Sequence, residues 1–212
     1  MKNRKLFSKL FVQYRAFLSN HDFVRAQKIL NEIKQSFPSN GWYHQGLLVG
    51  SRAFKQGIFR KSIQQRIVCF KQSLAYNPRY ESAWRALGMC YMELKQYRKA
   101  EDAFQKSLVY ARNDIFRGDA LRHLSDVALK NGNTKKAFGL LQKVLRMKKR
   151  PPYIELANHF IRYYQKIKDK EKVKEWARKG ILSARIVEKS GKMAYNDKSA
   201  YQTMIKEFET FL

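Results

Sequence analysis

The amino-acid sequence predicts an all-α protein, an α-solenoid of about five helix-turn-helix repeats followed by one C-terminal helix. The first observation is a 34-residue stretch, 81–114, in which small and large apolar residues recur at the spacing of two packed helices. The second is that similar stretches precede and follow it, as they must, because one such helix pair cannot bury its own apolar face. The third is composition, since four Pro, ten Gly and 44% apolar residues are typical of a folded protein.

The stretch 81–114 has the clearest pattern, ESAWRALGMCYMELKQYRKAEDAFQKSLVYARND. Its patterned residues fall at positions 4, 7, 8, 11, 17, 20, 24 and 28, and they are Trp84, Leu87, Gly88, Tyr91, Tyr97, Ala100, Phe104 and Leu108. This pattern resembles a tetratricopeptide repeat, the 34-residue unit of a large family of helical repeat proteins. The resemblance predicts that Gly88 and Ala100 let two antiparallel helices approach closely, while Phe104 fills the space around them. Arg112 stands at position 32, where the family usually has proline.

Four further repeats are predicted at residues 6–38, 41–78, 117–149 and 153–187. In the first, Tyr14 takes a position that is usually small. In the second, the count with Gly50 at position 8 and the count with Pro78 at position 32 disagree by four residues. Four residues are close to one helical turn, so we expect an extra turn in the second helix of this pair. Trp42 and Tyr43 indicate a further extra turn before the first helix. In the fifth, Ile161 replaces the glycine of position 8, and Gly180 falls at position 27.

The repeats are evenly spaced along the sequence. Their residues at position 17 lie 36, 38, 37 and 36 apart, and they are Phe23, Phe59, Tyr97, Thr134 and Lys170. We therefore expect residues 1–195 to form one solenoid and residues 196–212 to form an amphipathic capping helix with a polar outer face. The resemblance implies a right-handed superhelix.

Charge is the second informative feature. The protein has 44 Lys and Arg against 17 Asp and Glu, and its net charge of +27 attracts polyanions such as RNA, DNA, anionic membranes or acidic proteins. A lysine-rich proteome would give the same charge without a functional role, and both interpretations stay open. No stretch approaches the roughly 20 apolar residues of a membrane span. Cys69 and Cys90 match neither a disulfide framework nor a metal motif, so we expect a soluble, cytoplasmic protein without a metal.

Catalytic signatures are missing from the sequence. There is no phosphate-binding glycine loop, no nucleophile elbow and no zinc-protease motif, and the four histidines are far apart. His123 and Asp126 lie three residues apart on one predicted helix, where a surface pair is the simplest interpretation. We therefore predict that the protein is not an enzyme and needs no cofactor.

The resemblance implies a ligand groove on the concave side, lined by positions 2, 5, 9, 12 and 13 of each repeat. On this sequence the predicted groove residues are Phe54, Lys55, Arg85, Met89, Met92, Arg122, Asp126, Asn158 and Arg162. Guanidinium forks match carboxylate or phosphate oxygens, and methionines give an adaptable apolar floor. Three solvated arginines that happen to face the same way would fit equally well. The carboxylate clamp of some family members is not predicted, because Phe11 and Arg15 occupy its first-repeat positions.

Two functions follow from these features. The leading hypothesis is a non-enzymatic scaffold that binds a peptide or protein segment, acidic or mixed in character, in the concave groove. The alternative is a helical repeat protein that binds RNA or another polyanion through its basic surface. Binding of that kind falls steeply as salt rises, because each neutralised phosphate releases counterions.

Overall fold

A computed structural model of the protein describes residues 2–147, 153–190 and 198–212. In these residues the secondary structure is eleven α-helices and one short 3-10 helix, and no strand occurs. The prediction of an all-α repeat fold is thus confirmed. The helices divide into two compact units, 1–111 and 112–212. The predicted boundary at residue 196 lies outside the described residues.

Unit 1 contains six α-helices, and each packs on the next one in the sequence. They are α1 Lys2–Ser19, α2 Phe23–Ser36, α3 Pro38–Lys55, α4 Ile63–Tyr76, α5 Glu81–Glu93 and α6 Tyr97–Val109, with the 3-10 helix Phe59–Ser62 before α4. Local chemistry fixes where α2 and α3 begin. The Asp22 carboxylate caps α2 by accepting a hydrogen bond from the Arg25 amide at 3.0 Å, and Pro38 occupies the first turn of α3. One core lies between α1, α2 and α3, and a second between α3, α4 and α5.

The contact between α5 and α6 shows why the pattern in 81–114 needs a glycine. A Cβ atom added to Gly88 would lie 2.6 Å from Cε1 of Phe104, and the Phe104 ring is fully buried. Ala100, also fully buried, keeps the second helix equally close. The predicted role of Gly88 in close helix approach is confirmed.

The register of the second helix pair differs from the prediction. Gly46, rather than Gly50, meets the large aromatic residue of the second helix: a Cβ atom at residue 46 would lie 2.5 Å from Cε1 of Phe70. The additional residues sit in two places, because α3 has 18 residues against 13 in α5 and the 3-10 helix precedes α4. The longer α3 agrees with the extra turn predicted at Trp42 and Tyr43, whereas the extra turn expected inside the second helix is a 3-10 turn that precedes α4.

Tyr14, the large residue at a usually small position of the first pair, is accommodated by a polar contact. Its ring is buried in the α1–α3 core, and its hydroxyl donates a hydrogen bond to the backbone carbonyl of His44 at 3.2 Å. A buried phenol needs such a partner. The residue therefore packs as a core anchor that ties α1 to α3.

The described residues of unit 2 form five α-helices: α7 Asp114–Lys130, α8 Thr134–Leu145, α9 Tyr153–Lys166, α10 Lys170–Ser190 and α11 Lys198–Glu209. The rings of Phe160 and Trp176 stack 3.9 Å apart between α9 and α10. Gly180, expected at position 27 of the fifth repeat, meets α11, because a Cβ atom there would lie 2.7 Å from Cε2 of buried Phe208. The long helix α10 thus packs on α9 and on α11.

Candidate binding surfaces in the two units

The α5 surface of unit 1 consists of Arg85, Met89 and Met92, three of the predicted groove residues. Arg85 is half-buried, and its Nε atom is buried without a hydrogen-bond partner. No ion pair joins Arg85 to any carboxylate of the described residues. Met89, one turn further along α5, has 40% of its surface exposed, and Met92 is half-buried. The α5 surface therefore presents a guanidinium that makes no ion pair with a carboxylate of the described residues, although buried Glu81 lies one turn earlier on α5, and two methionine side chains lie next to it.

Phe54 and Lys55 lie on the last turn of α3. The Phe54 side chain is 76% exposed, and its ring meets the Phe59 ring edge-on with 6.3 Å between centroids. The Lys55 ammonium lies 5.9 Å from the centre of the Phe23 ring of α2. Phe54 is thus available to a ligand, whereas Lys55 is turned toward a neighbouring helix by a cation–π contact.

Arg66 of α4 is a residue that the sequence pattern did not select. Its guanidinium lies 4.5 Å from the centre of the Phe59 ring, the residue is only 8% exposed, and Nε and Nη1 have no hydrogen-bond partner. The register seen in the structure would have pointed to it. Four residues before Phe70, Arg66 takes the place that Ala100 takes before Phe104, and an arginine at an alanine position is a clear anomaly.

His44 of α3 sits in a box of aromatic rings. The ring centroids of Phe11, Tyr14 and Tyr43 lie 4.8, 5.5 and 5.0 Å from that of His44. Burial in this box lowers the pKa of His44 to about 4, and Nδ1 has no hydrogen-bond partner. The imidazole is therefore neutral at pH 7 and acts as a core residue of unit 1.

In unit 2, the predicted arginines are already neutralised by aspartates. Arg122 of α7 is buried and its Nη2 donates to the carboxylate of Asp119 one turn earlier. Arg162 of α9 donates through Nη1 to the carboxylate of Asp126, although 52% of the Arg162 side chain stays exposed. Neither arginine is therefore an uncompensated cation. Asn158, also on α9, is half-buried.

Asp126 belongs to a buried cluster rather than to a surface pair. Its Oδ1 lies 3.0 Å from Nδ1 of His159 on α9, and the rings of His159 and His123 stand edge-on, 5.7 Å apart. The prediction of a surface pair between His123 and Asp126 is wrong, because the packing of α7 on α9 buries Asp126 and gives it a histidine partner from the other helix.

The electrostatics of this cluster favour a charged carboxylate and a neutral imidazole. Burial opposes ionisation of Asp126, but His159 and Arg162 outweigh it and lower the pKa of the carboxyl group. Burial also lowers the pKa of His159, although Asp126 acts in the opposite direction. The nearest hydroxyl in sequence, Ser125, makes no hydrogen bond, so the pair does not activate it as a nucleophile. The cluster fastens α7 to α9.

The two cysteines show no sign of reactivity or metal binding. Both are free and buried, and burial raises the pKa of the Cys90 thiol to about 11, against the opposing field of Arg66. Across the described ranges, no three His, Cys, Asp or Glu side chains are grouped so as to hold a metal ion. In the same ranges, none of the helices has the length and apolar character that crossing a membrane requires.

Comparison with known proteins adds a family match and a fold match. Residues 79–150 match the tetratricopeptide repeat model. The transcription activator GutR of Bacillus subtilis is 28% identical over 138 residues, a match that covers 63% of this protein but only 16% of the length of GutR. The sequence therefore spans a small part of that relative.

Two solved structures share the fold. The structure of PilF from Pseudomonas aeruginosa superposes with a TM-score of 0.63 at 14% identity, covering 99% of each protein. A tetratricopeptide repeat protein of Thermus thermophilus gives 0.58 at 16% identity, covering 78% of this protein and 87% of its own length. The match at residues 79–150 and the Gly88–Phe104 contact identify a tetratricopeptide repeat in this part of the protein, and the fold of the described residues is similar to that of tetratricopeptide repeat proteins.

Proposed function

We propose that the protein is a non-enzymatic scaffold that binds a peptide or protein segment carrying carboxylates on the α5 surface, Arg85, Met89 and Met92. The observation that carries this proposal is that, among the described residues, no ion pair involves Arg85. It is half-buried, its Nε lacks a hydrogen-bond partner, and no described carboxylate pairs with it. A partly desolvated guanidinium of this kind is stabilised by an incoming carboxylate, which it can hold with two parallel hydrogen bonds.

The neighbouring methionines support a peptide as the ligand. Met89 and Met92 put flexible, polarizable side chains within one or two turns of Arg85, and such side chains adapt to aliphatic residues of different shape. A segment that alternates acidic and aliphatic residues satisfies both features. Carboxylate binding by Arg122 and Arg162 is weaker in this proposal, because Asp119 and Asp126 already neutralise them.

The test uses a defined probe, an array of short peptides in which acidic, amidated and basic residues alternate with leucine. Nuclease-treated protein is applied, and retention is compared for the wild type and the variants Arg85→Ala and Arg98→Ala. Arg98 is an exposed arginine of α6, so its variant removes the same charge away from the α5 surface. We expect acidic–aliphatic peptides to be retained, with roughly tenfold weaker binding for Arg85→Ala alone, as the loss of a charge-assisted hydrogen bond implies.

Equal retention by the two variants would remove the α5 surface from the proposal. A second arm offers single-stranded RNA of mixed sequence between about 50 and 200 mM salt, a range over which phosphate-driven binding weakens steeply. RNA binding with that steep salt dependence, together with no preference for acidic peptides, would favour the polyanion alternative instead.

A further inference from the structure

Unit 1 holds a cavity of about 450 Å³ at the end of α3, distinct from the α5 surface. Its apolar walls come from the end of α1, from α3 and from the 3-10 helix, and they include Leu18, Leu47, Phe54 and Phe59. Arg66 is the charged residue of the lining, and the pocket is named the Arg66 cavity after it. The volume lies in the range of known small-ligand pockets, about 300 to 1,000 Å³. The Arg66 cavity therefore combines an apolar body with one cation.

The charge of Arg66 is not balanced by the protein around it. No acidic residue lines the cavity. Asp22, which follows the lining residue His21, already accepts the α2 cap bond and pairs with Arg25 at 3.3 Å. Glu93 is exposed and makes no ion pair with Arg66 among the described residues. Burying an arginine without a counter-charge is costly, so the site is completed most favourably by an anion.

Three local features make room for this arginine. Arg66 stands at the position that Ala100 occupies in the third repeat, so a long side chain lies where the α5–α6 pair is closely packed. Gly50 faces it: a Cβ atom there would lie 3.2 Å from Nε of Arg66. Phe59, supplied by the additional 3-10 turn, covers one face of the guanidinium. The guanidinium is thus held in a fixed place, and its Nε and Nη1 atoms make no hydrogen bond.

We propose that the Arg66 cavity binds a carboxylate attached to an aliphatic body, supplied by a peptide segment. A carboxylate matches the guanidinium fork and carries one negative charge, which the single cation neutralises. A phosphate dianion would leave excess charge among apolar walls, which is unfavourable. Leu18, Leu47 and Phe54 would then cover the aliphatic part of the ligand. The carboxylate comes either from the C-terminus of a peptide or from an acidic side group within it.

The experiment is equilibrium disulfide tethering at Ser51, a half-buried residue of the cavity lining. In the variant Ser51→Cys, the new thiol exchanges with disulfides of small fragments, and intact mass reports the labelled fraction. One fragment pair is mercaptoacetyl-leucine and its amide, which mimic a C-terminus. The other is mercaptoacetyl-glutamate α-amide and the glutamine equivalent, which mimic an acidic side group. The parent protein is the control for Cys69 and Cys90, which are buried.

We expect a carboxylate fragment to exceed its amide by about tenfold in at least one pair, as a charge-assisted hydrogen bond implies, and the preferred pair identifies the source. The preference should vanish when Arg66→Gln is added and persist when Arg52→Gln, an exposed arginine of α3, is added instead. The variant Gln105→Cys places the thiol at an exposed position of α6, beside Lys106, and measures the attraction of the basic surface without any change at Arg66.

Equal labelling by carboxylate and amide at Ser51→Cys would overturn the inference. So would an equal preference at Gln105→Cys, or a preference that survives Arg66→Gln. The result is separable from the α5 surface, because the array experiment varies Arg85 and the tethering experiment varies Arg66. Either can fail while the other succeeds.

Discussion

Acid should destabilise unit 1 through His44, and one substitution should remove that effect. The folded protein holds His44 neutral, with a pKa of about 4, whereas an unfolded histidine titrates near its ordinary value of 6.5. Between these values the unfolded state binds more protons than the folded one. Stability is therefore full above about pH 6.5 and falls as the pH falls toward 4.

The size of the effect follows from the difference in pKa. A shift of one pKa unit corresponds to about 1.4 kcal/mol. Lowering the pKa of His44 to about 4 in the folded state therefore reduces the free energy of unfolding by about 3 kcal/mol once the pH is well below 4. At about pH 4.5 most of this, about 2.5 kcal/mol, is already lost. The cause is structural: the rings of Phe11, Tyr14 and Tyr43 surround the imidazole, and Nδ1 has no acceptor to receive a proton's hydrogen bond.

The assay is urea unfolding of the wild type and of His44→Phe, near neutral pH and at about pH 4.5. Phenylalanine keeps the aromatic packing and the backbone carbonyl that accepts from Tyr14, but it cannot titrate. Carboxylates contribute to acid sensitivity in both proteins, so the measured quantity is the difference between their losses, expected at about 2.5 kcal/mol. An identical loss in both proteins would refute the argument, as would a His44 titration near 6.5 by NMR.

Three further predictions follow from packing and charge. Gly88→Ala should lower the free energy of unfolding by about 1 to 3 kcal/mol, because the added methyl group overpacks against Phe104. Gly139→Ala is the control and should be neutral or stabilising in thermal melts, because no atom lies near its new Cβ. Asp126→Asn should lower the free energy of unfolding by about 3 kcal/mol, because it leaves a buried partner uncompensated. Asp114→Asn, in an exposed ion pair, should lower it by less than about 1 kcal/mol, and similar losses in the two variants would contradict the buried cluster. Arg66→Met should leave unliganded stability unchanged or raised, as removal of a buried unpaired charge implies, and a large loss in urea unfolding would mean that Arg66 is satisfied within the fold.

The fold was predictable where one repeat contains its own contacts. Gly88 and Phe104 lie within a single 34-residue unit, so their spacing alone places them face to face. The second pair was not predictable in this way. Gly46 and Gly50 are four residues apart, close to one helical turn, so both lie on the same face of α3 and the pattern cannot choose between them. Only packing against Phe70 selects Gly46.

The candidate sites were less predictable, because they depend on contacts between helices of different repeats. The partner of Asp126 is His159, 33 residues away, and the residue spacing within α7 does not predict this contact. Arg66 was hidden by the same one-turn ambiguity, since the shifted register gave the alanine position to Ser62. Arg85 and Met89 were predicted from the groove positions that the resemblance to the family implies, but whether Arg85 has an ion-pair partner depends on which carboxylates reach it in the folded unit.

The central claim, that the α5 surface binds a carboxylate-bearing segment, is tested most directly by NMR of the methionine methyl groups. Protein labelled at these methyls is titrated with the acidic–aliphatic peptide that the array retains best. We expect shifts at Met89 and Met92 that disappear in Arg85→Ala, with Met204 of α11 unchanged. Shifts at Met204 with none at Met89 or Met92 would contradict it.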